Sequence, residues 1–226
     1  MTRVALFLAA VAVLVAAALL SRPFAADPAR PASSAGIAAT SEAKNPWTGL
    51  TPNADPDQFQ FAVVTDRTGG HRAKVFSRAM RQVNLLQPEF VVSVGDLIEG
   101  YTKDADKIAA EWQEFDGYVK RLDMPFFYVP GNHDLTNKEQ VEAWGGRYGR
   151  KYYHFVYRNV LFLAVNSEDP VSEVSAGQVE YFKRAVADNP GVRWTLVFLH
   201  KPLWDAKDLD KNGWAAMEAV LAGRNY

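Results

Sequence analysis

Gly131-Asn132-His133-Asp134 follows the apolar run Phe126-Phe127-Tyr128-Val129 and a single proline. The turn sets an amide, an imidazole and a carboxylate at the end of a strand, where open α/β sheets bind their ligands. Such a set can ligate a metal ion and move a proton. Alone, it could equally be a loop that hydrogen-bonds to itself. Gly131 supplies the backbone freedom that lets the turn form without strain. Three other apolar runs end in residues of the same kind. Phe59 to Thr65 ends in Asp66, followed by Arg67-Thr68-Gly69-Gly70-His71. Phe90 to Val94 ends in Gly95-Asp96-Leu97-Ile98-Glu99-Gly100, and Trp194 to Leu199 ends in His200-Lys201-Pro202. One strand ending in Asp is ordinary, because Asp favours turns and helix starts. Asp, Asp, Asn and His closing four strands point instead to a metal site assembled from loops.

The elements that must carry these loops alternate along the chain. Strand patterns run near Phe59–Thr65, Phe90–Val94, Phe126–Val129, Tyr152–Tyr157, Val160–Val165 and Trp194–Leu199. Helical patterns run near Lys74–Leu86, Asp106–Leu122, Lys138–Trp144, Ala176–Ala187 and Trp214–Leu221. Arg158-Asn159 between two strands reads as a two-residue hairpin turn. An α/β sandwich with a mixed sheet follows. Trp112 and Trp144 fit helical core faces, whereas Trp204, Asp205 and Tyr101 follow site segments and are candidates to shape a substrate pocket.

Taken in order, Asp66, Gly95-Asp96, Gly131-Asn132-His133-Asp134 and His200 resemble the motifs of the calcineurin-like metallophosphoesterases, from about Phe59 to the C-terminus. The resemblance implies an α/β/β/α sandwich of two sheets flanked by helices, and a metal-dependent phosphoester hydrolase. It implies two divalent or trivalent ions, of manganese, iron or zinc, roughly 3.5–4 Å apart, with hydroxide held by them as the in-line nucleophile on phosphorus. Asp96 would bridge the ions, Asp66 would bind the first, and Asn132 and His200 the second. His133 would bond the phosphate or protonate the leaving oxygen, with Asp134 orienting its imidazole. The expected partner is a small phosphoester substrate.

Two departures shape the expectation. The family's Asp-x-His reads Asp66-Arg67-Thr68, so an imidazole ligand is replaced by a hydroxyl. His71 and Glu99 are the candidate extra ligands; helix capping and a solvent-facing position are their structural alternatives. Arg67 is a candidate phosphate clamp through its planar guanidinium, or a surface arginine. The family's final Gly-His-x-His does not appear, so a domain spanning 58–226 is expected to lack its C-terminal part and to have little activity by itself. The alternative function is a non-catalytic or one-metal binding domain of the same fold.

The first residues add a location. Arg3 precedes the apolar stretch Val4–Leu20, so residues 1–20 read as a signal peptide or an N-terminal membrane anchor. Residues 21–57, rich in Ala, Pro and Ser, read as a disordered tether. The expected location is therefore the periplasm, the medium or the outer face of the cytoplasmic membrane. Export permits disulfides, but the chain has no cysteine, so its core must hold the fold unaided. A net charge of −1 gives no field for nucleic acid, and none is expected as a partner. Composition does not fix the oligomeric state.

Overall fold

The computed structural model describes residues 37–50, 59–70 and 72–226. His71 and the apolar stretch Val4–Leu20 lie outside these described residues. β1 (Ala38–Ala39) and β2 (Ala62–Val64) precede α1 (Val75–Leu86), and β3 (Val91–Ser93) precedes α2 (Ala105–Val119). Next come β4 (Phe126–Phe127), α3 (Lys138–Tyr148) and the hairpin of β5 (Tyr153–Tyr157) and β6 (Val160–Ala164). A small pair, β7 (Glu168–Asp169) and β8 (Glu173–Val174), leads to α4 (Ala176–Asp188), β9 (Trp194–Phe198) and α5 (Trp214–Leu221).

Two main sheets result. β2, β3 and β4 lie side by side and parallel. β1, β5, β6 and β9 form a mixed sheet, antiparallel except for the β6–β9 pair. β3, β4 and β6 are covered on both faces, which is why their sequences run hydrophobic without alternation. Val160, Phe162 and Ala164 of β6 face the first sheet, where they meet Phe90, Val92 and Phe127. The intervening Leu161 and Leu163 pack with Phe182 of α4 and Met217 of α5. On the first sheet, Val91 and Phe126 turn the other way, to Ile108, Trp112 and Phe115 of α2 and Trp144 of α3. The layers are therefore helix, sheet, sheet and helix, as the family resemblance implied. Phe127 and Phe155 stack at 4.1 Å in the middle layer, and burying each such side chain contributes about 1.5–3 kcal/mol.

Local signals set the boundaries. Asp104 caps α2 through the amides of Asp106 and Lys107, and Ser175 caps α4 through Gln178. Arg158 and Asn159 both adopt positive φ, 45° and 61°, giving the primed turn that matches the twist of β5 and β6. Past α5 the chain returns to β9, where the Thr195 amide donates to the Asn225 carbonyl at 2.8 Å. Among the described residues no helix is long and apolar enough to cross a membrane.

The expected tether differs over residues 37–50, which form a strap along both sheets. β1 pairs with β5, the Tyr128 amide donates to the Pro46 carbonyl at 2.8 Å, and the Thr48 amide donates to that of Phe126 at 3.0 Å. Ile37 is buried, and Trp47 lies 5.2 Å from the Tyr153 ring. The segment looked featureless because Ile37, Trp47 and Leu50 are scattered among small and polar residues, with no periodicity to register.

Candidate metal centre

β2, β3 and β4 run parallel, so the loops carrying Asp66, Asp96 and Asn132 leave the first sheet on the same side. β9 brings His200 to them from the second sheet. The loops approach so closely that side chains would not fit between them. A Cβ on Gly95 would stand 2.7 Å from the Gly131 Cα and 2.7 Å from the His200 ring, and one on Gly131 would run into the Asp96 carboxylate. Asp66 and Asp96 both adopt the left-handed region, with φ of 45° and 56°. Asp tolerates that region better than most residues, and strain of this kind clusters at functional sites.

The ligand atoms of Asp66, Asp96 and His200 lie within 4.8 Å of one another. His200 Nε2 stands 3.2 Å from Asp96 Oδ1 and 3.2 Å from Asn132 Oδ1. Its Nδ1 lies 2.9 Å from the Val94 carbonyl, which can only accept, so Nδ1 carries a proton and Nε2 faces the cluster. The same logic fixes His133, whose Nδ1 donates to the Glu99 carbonyl at 2.6 Å. Its Nε2 then points into the site, 3.8 Å from Asp96 Oδ2. The His133 amide donates to Asp96 Oδ1 at 3.1 Å. Two carboxylates, an amide oxygen and an anchored imidazole are a donor set suited to divalent transition metals. These residues fit divalent metal ions.

Without an ion the charges arrange themselves. Burial opposes ionisation of Asp96, but hydrogen bonds from His200 and from the His133 amide outweigh it and hold the carboxyl below its usual range. Burial also opposes a charge on His200. There the Asp96 carboxylate, the Val94 carbonyl and Asp66 win, raising its pKa to about 9.

Three expected roles change. Asp134 does not orient the His133 imidazole. Its fully buried carboxylate accepts from the amides of Leu97 at 2.9 Å, Ile98 at 3.2 Å and Gly131 at 2.8 Å, clamping two site loops together. Burial pushes its pKa up to about 7 against the pull of those donors. Arg67 is no phosphate clamp. It turns inward, donating to the Leu97 carbonyl at 3.2 Å, pairing with Glu114 and lying over the Tyr118 ring. Glu99 enters through its backbone carbonyl, and its carboxylate is not one of the three clustered anionic or imidazole ligands. His71 falls outside the described residues. Thr68, in the place of the family's histidine, is buried, and its hydroxyl has no hydrogen-bond partner.

Sequence reasoning placed Tyr101 only near a pocket. Its hydroxyl accepts from Asn132 Nδ2 at 3.0 Å, and its ring meets His133 edge to face at 4.7 Å. An aromatic following Gly100 in a site loop was the available signal. Trp204 packs on Trp214 at 5.6 Å, beside Asp205 in a short turn at Leu203–Asp205.

Residues 59–224 match the sequence profile of the calcineurin-like phosphoesterases. The chain belongs to that family. Membership implies divalent metal ions at the clustered carboxylates and imidazole. The rat serine/threonine-protein phosphatase CPPED1 (Rattus norvegicus) is 27% identical over 207 residues, covering 76% of this chain and 62% of that protein. A probable cyclic nucleotide phosphodiesterase, PSM_A2567 of Pseudoalteromonas sp. (strain SM9913), is 27% identical over 178 residues, covering 74% and 66%. The chain thus spans less than two thirds of the length of either relative. The fold matches the crystal structure of a dimetal phosphatase from Danio rerio (LOC 393393) with a TM-score of 0.58. That match has 15% identity and covers 75% of this chain and 79% of the other.

Proposed function

We propose that this protein is an exported, metal-dependent hydrolase of small phosphoesters with a two-ion site. The observation that carries the reading is the convergence of Asp66, Asp96 and His200 within 4.8 Å, with Asn132 Oδ1 and His133 Nε2 directed at the same point. Asp66 would hold one ion, Asn132 and His200 the other, with Asp96 between them. Ions held there supply Lewis-acid charge to a phosphoryl group and make water more acidic. The protein's own contribution is position and protons. Val94 and Glu99 carbonyls fix both imidazole tautomers, so Nε2 of each ring faces the reacting space. His133, when protonated, can bond a phosphoryl oxygen through Nε2 and hand that proton to the leaving oxygen. Asp134 keeps the turn bearing His133 and the loop bearing Asp96 in register. Export is supported by Arg3 and the apolar stretch Val4–Leu20.

The test is hydrolysis of nitrophenyl phosphate and bis-nitrophenyl phosphate by the purified protein with added manganese, beside Asp96→Asn. Metal-dependent turnover that the variant loses supports the reading. Turnover unchanged by the variant, or by chelator, would sink it. A second reading, a one-ion binding domain, draws on Thr68: a buried hydroxyl without a partner stands where the family supplies an imidazole. Calorimetric titration of the metal-free protein that finds two manganese-binding events per chain would exclude it.

A further inference from the structure

Tyr101 stands in the loop after Asp96, 62% exposed as a residue, with its backbone at a φ of 50°. A bulky residue in the left-handed region costs about 1–3 kcal/mol, and it persists where neighbours over-determine it. Those neighbours are specific. The Tyr101 amide donates to Thr136 Oγ1 at 3.4 Å, and the Thr136 hydroxyl donates in turn to the Asn132 carbonyl at 2.8 Å. Turning the Gln140 side-chain amide over, so that its oxygen and nitrogen exchange places, adds it to the same knot: its nitrogen then donates to the His133 carbonyl at 2.6 Å and its oxygen accepts from the Tyr101 amide at 3.1 Å. The backbone of Tyr101 is thus tied to the backbone of the Asn132-His133 turn.

The side chain shows what this constraint achieves. An asparagine amide has an oxygen and a nitrogen at its two ends, and only the oxygen can ligate a cation. Tyr101 Oη accepts from Nδ2 at 3.0 Å, which leaves Oδ1 facing His200 Nε2 and the cluster. The ring stands at 83° to the His133 imidazole, against whose face or edge it limits tilting. An exposed tyrosine serving only packing would not need its hydroxyl on the side-chain amide of a candidate ligand.

We propose that Tyr101 is a positioning residue: its hydroxyl sets the Asn132 amide with the oxygen toward the ions, and its ring holds the His133 imidazole in place. This rests on the two-ion reading above. The test is a double-mutant cycle of Tyr101→Phe and Asn132→Asp, read by calorimetric titration of the metal-free protein with manganese and by steady-state hydrolysis of nitrophenyl phosphate. Tyr101→Phe keeps the ring, and its site is exposed, so the melting temperature should not move. Manganese affinity should fall about tenfold, as for loss of other groups that orient a ligand, while kcat at saturating manganese stays within about twofold. With Asn132→Asp both ends of the side chain are oxygen and orientation ceases to matter. In that background Tyr101→Phe should cost less than about twofold, so the cycle reports a coupling near fivefold or more. Tyr101→Ala, which also removes the ring, should lower kcat further with little change in KM. Equal manganese binding by Tyr101→Phe and the unaltered chain, or an equal loss in both backgrounds, would overturn the proposal alone. Failure of the unaltered chain to bind manganese would overturn the two-ion reading and this proposal with it.

Discussion

The two halves of the proposed metal centre are built differently. Around Asp96, Asn132 and His200 the loops interlock through Gly95 and Gly131, the imidazole is anchored on Val94, and Asp134 ties the loops with three backbone bonds. Around Asp66 the surroundings are thin. Asp66 is exposed, its carboxylate accepts from the neighbouring Thr65 hydroxyl, and buried Thr68 offers an unpaired hydroxyl where an imidazole is expected. Preorganised ligands bind an ion without reordering the protein, so the difference predicts unequal affinities: one ion held firmly, the other weakly.

The largest effect that would break this picture comes from Asp96, the carboxylate proposed to lie between the ions. Asp96→Asn should lower kcat/KM on the order of a thousandfold, since several kcal/mol of charge stabilisation depend on it, and should abolish both manganese-binding events in calorimetry. Loss of only the weaker event would mean that Asp96 does not lie between the ions. Next is the interlock. Gly131→Ala should destabilise the fold by about 1–3 kcal/mol by overpacking, measured as a lower midpoint in urea. It should also remove the firm site while leaving Asp66 in place. His200→Ala should weaken only the firm ion, by about 10–100-fold. Thr68→His sharpens the comparison from the other side. An imidazole beside Asp66 should tighten the weaker ion about tenfold and leave the firm one unmoved; tightening of both would show that the halves are not independent.

What was legible in the sequence follows the same division. The firm half could be read because its parts are local: an apolar strand followed at once by Gly-Asp, Gly-Asn-His-Asp or His. Trp214–Leu221 was bounded correctly for a similar reason, since its limits lie in Gly213 and Gly223 beside it. The roles that changed depend on contacts across the chain. Asp134 follows the imidazole it was expected to orient, yet its carboxylate turns to Leu97 and Ile98, dozens of residues earlier. Arg67 looked like a clamp because Asp66 precedes it; Glu114 and Tyr118, which draw it inward, lie on α2. The strap at 37–50 has no local signature, because its strand pairing and its tryptophan packing are both long-range. Spacing reveals which residues meet at strand ends. It does not reveal which of them turn away.

The smallest expected effect is a pH dependence that only the firm half should show. In the metal-free protein His200 titrates near 9, above the ordinary imidazole value of 6.5. A raised folded-state value means that the native chain holds the proton more tightly than the unfolded chain. The stabilisation it brings is full below about 6.5 and is lost as pH rises through about 9. Asp134, raised to about 7 from 3.8, also loses stabilisation as pH rises, but in the lower window between those values. An ion at His200 must displace the Nε2 proton, so binding releases a proton at any pH below 9. Manganese affinity of the firm site should therefore climb with pH, by up to about tenfold per unit, and level off above 9. With chelator the melting temperature should fall between pH 6.5 and 9; with saturating manganese it should hold or rise. The weaker ion, bound through Asp66 without His200, should show a much flatter profile across that range. Parallel profiles for the two ions would mean that the imidazole serves both, and the division between the halves would fail.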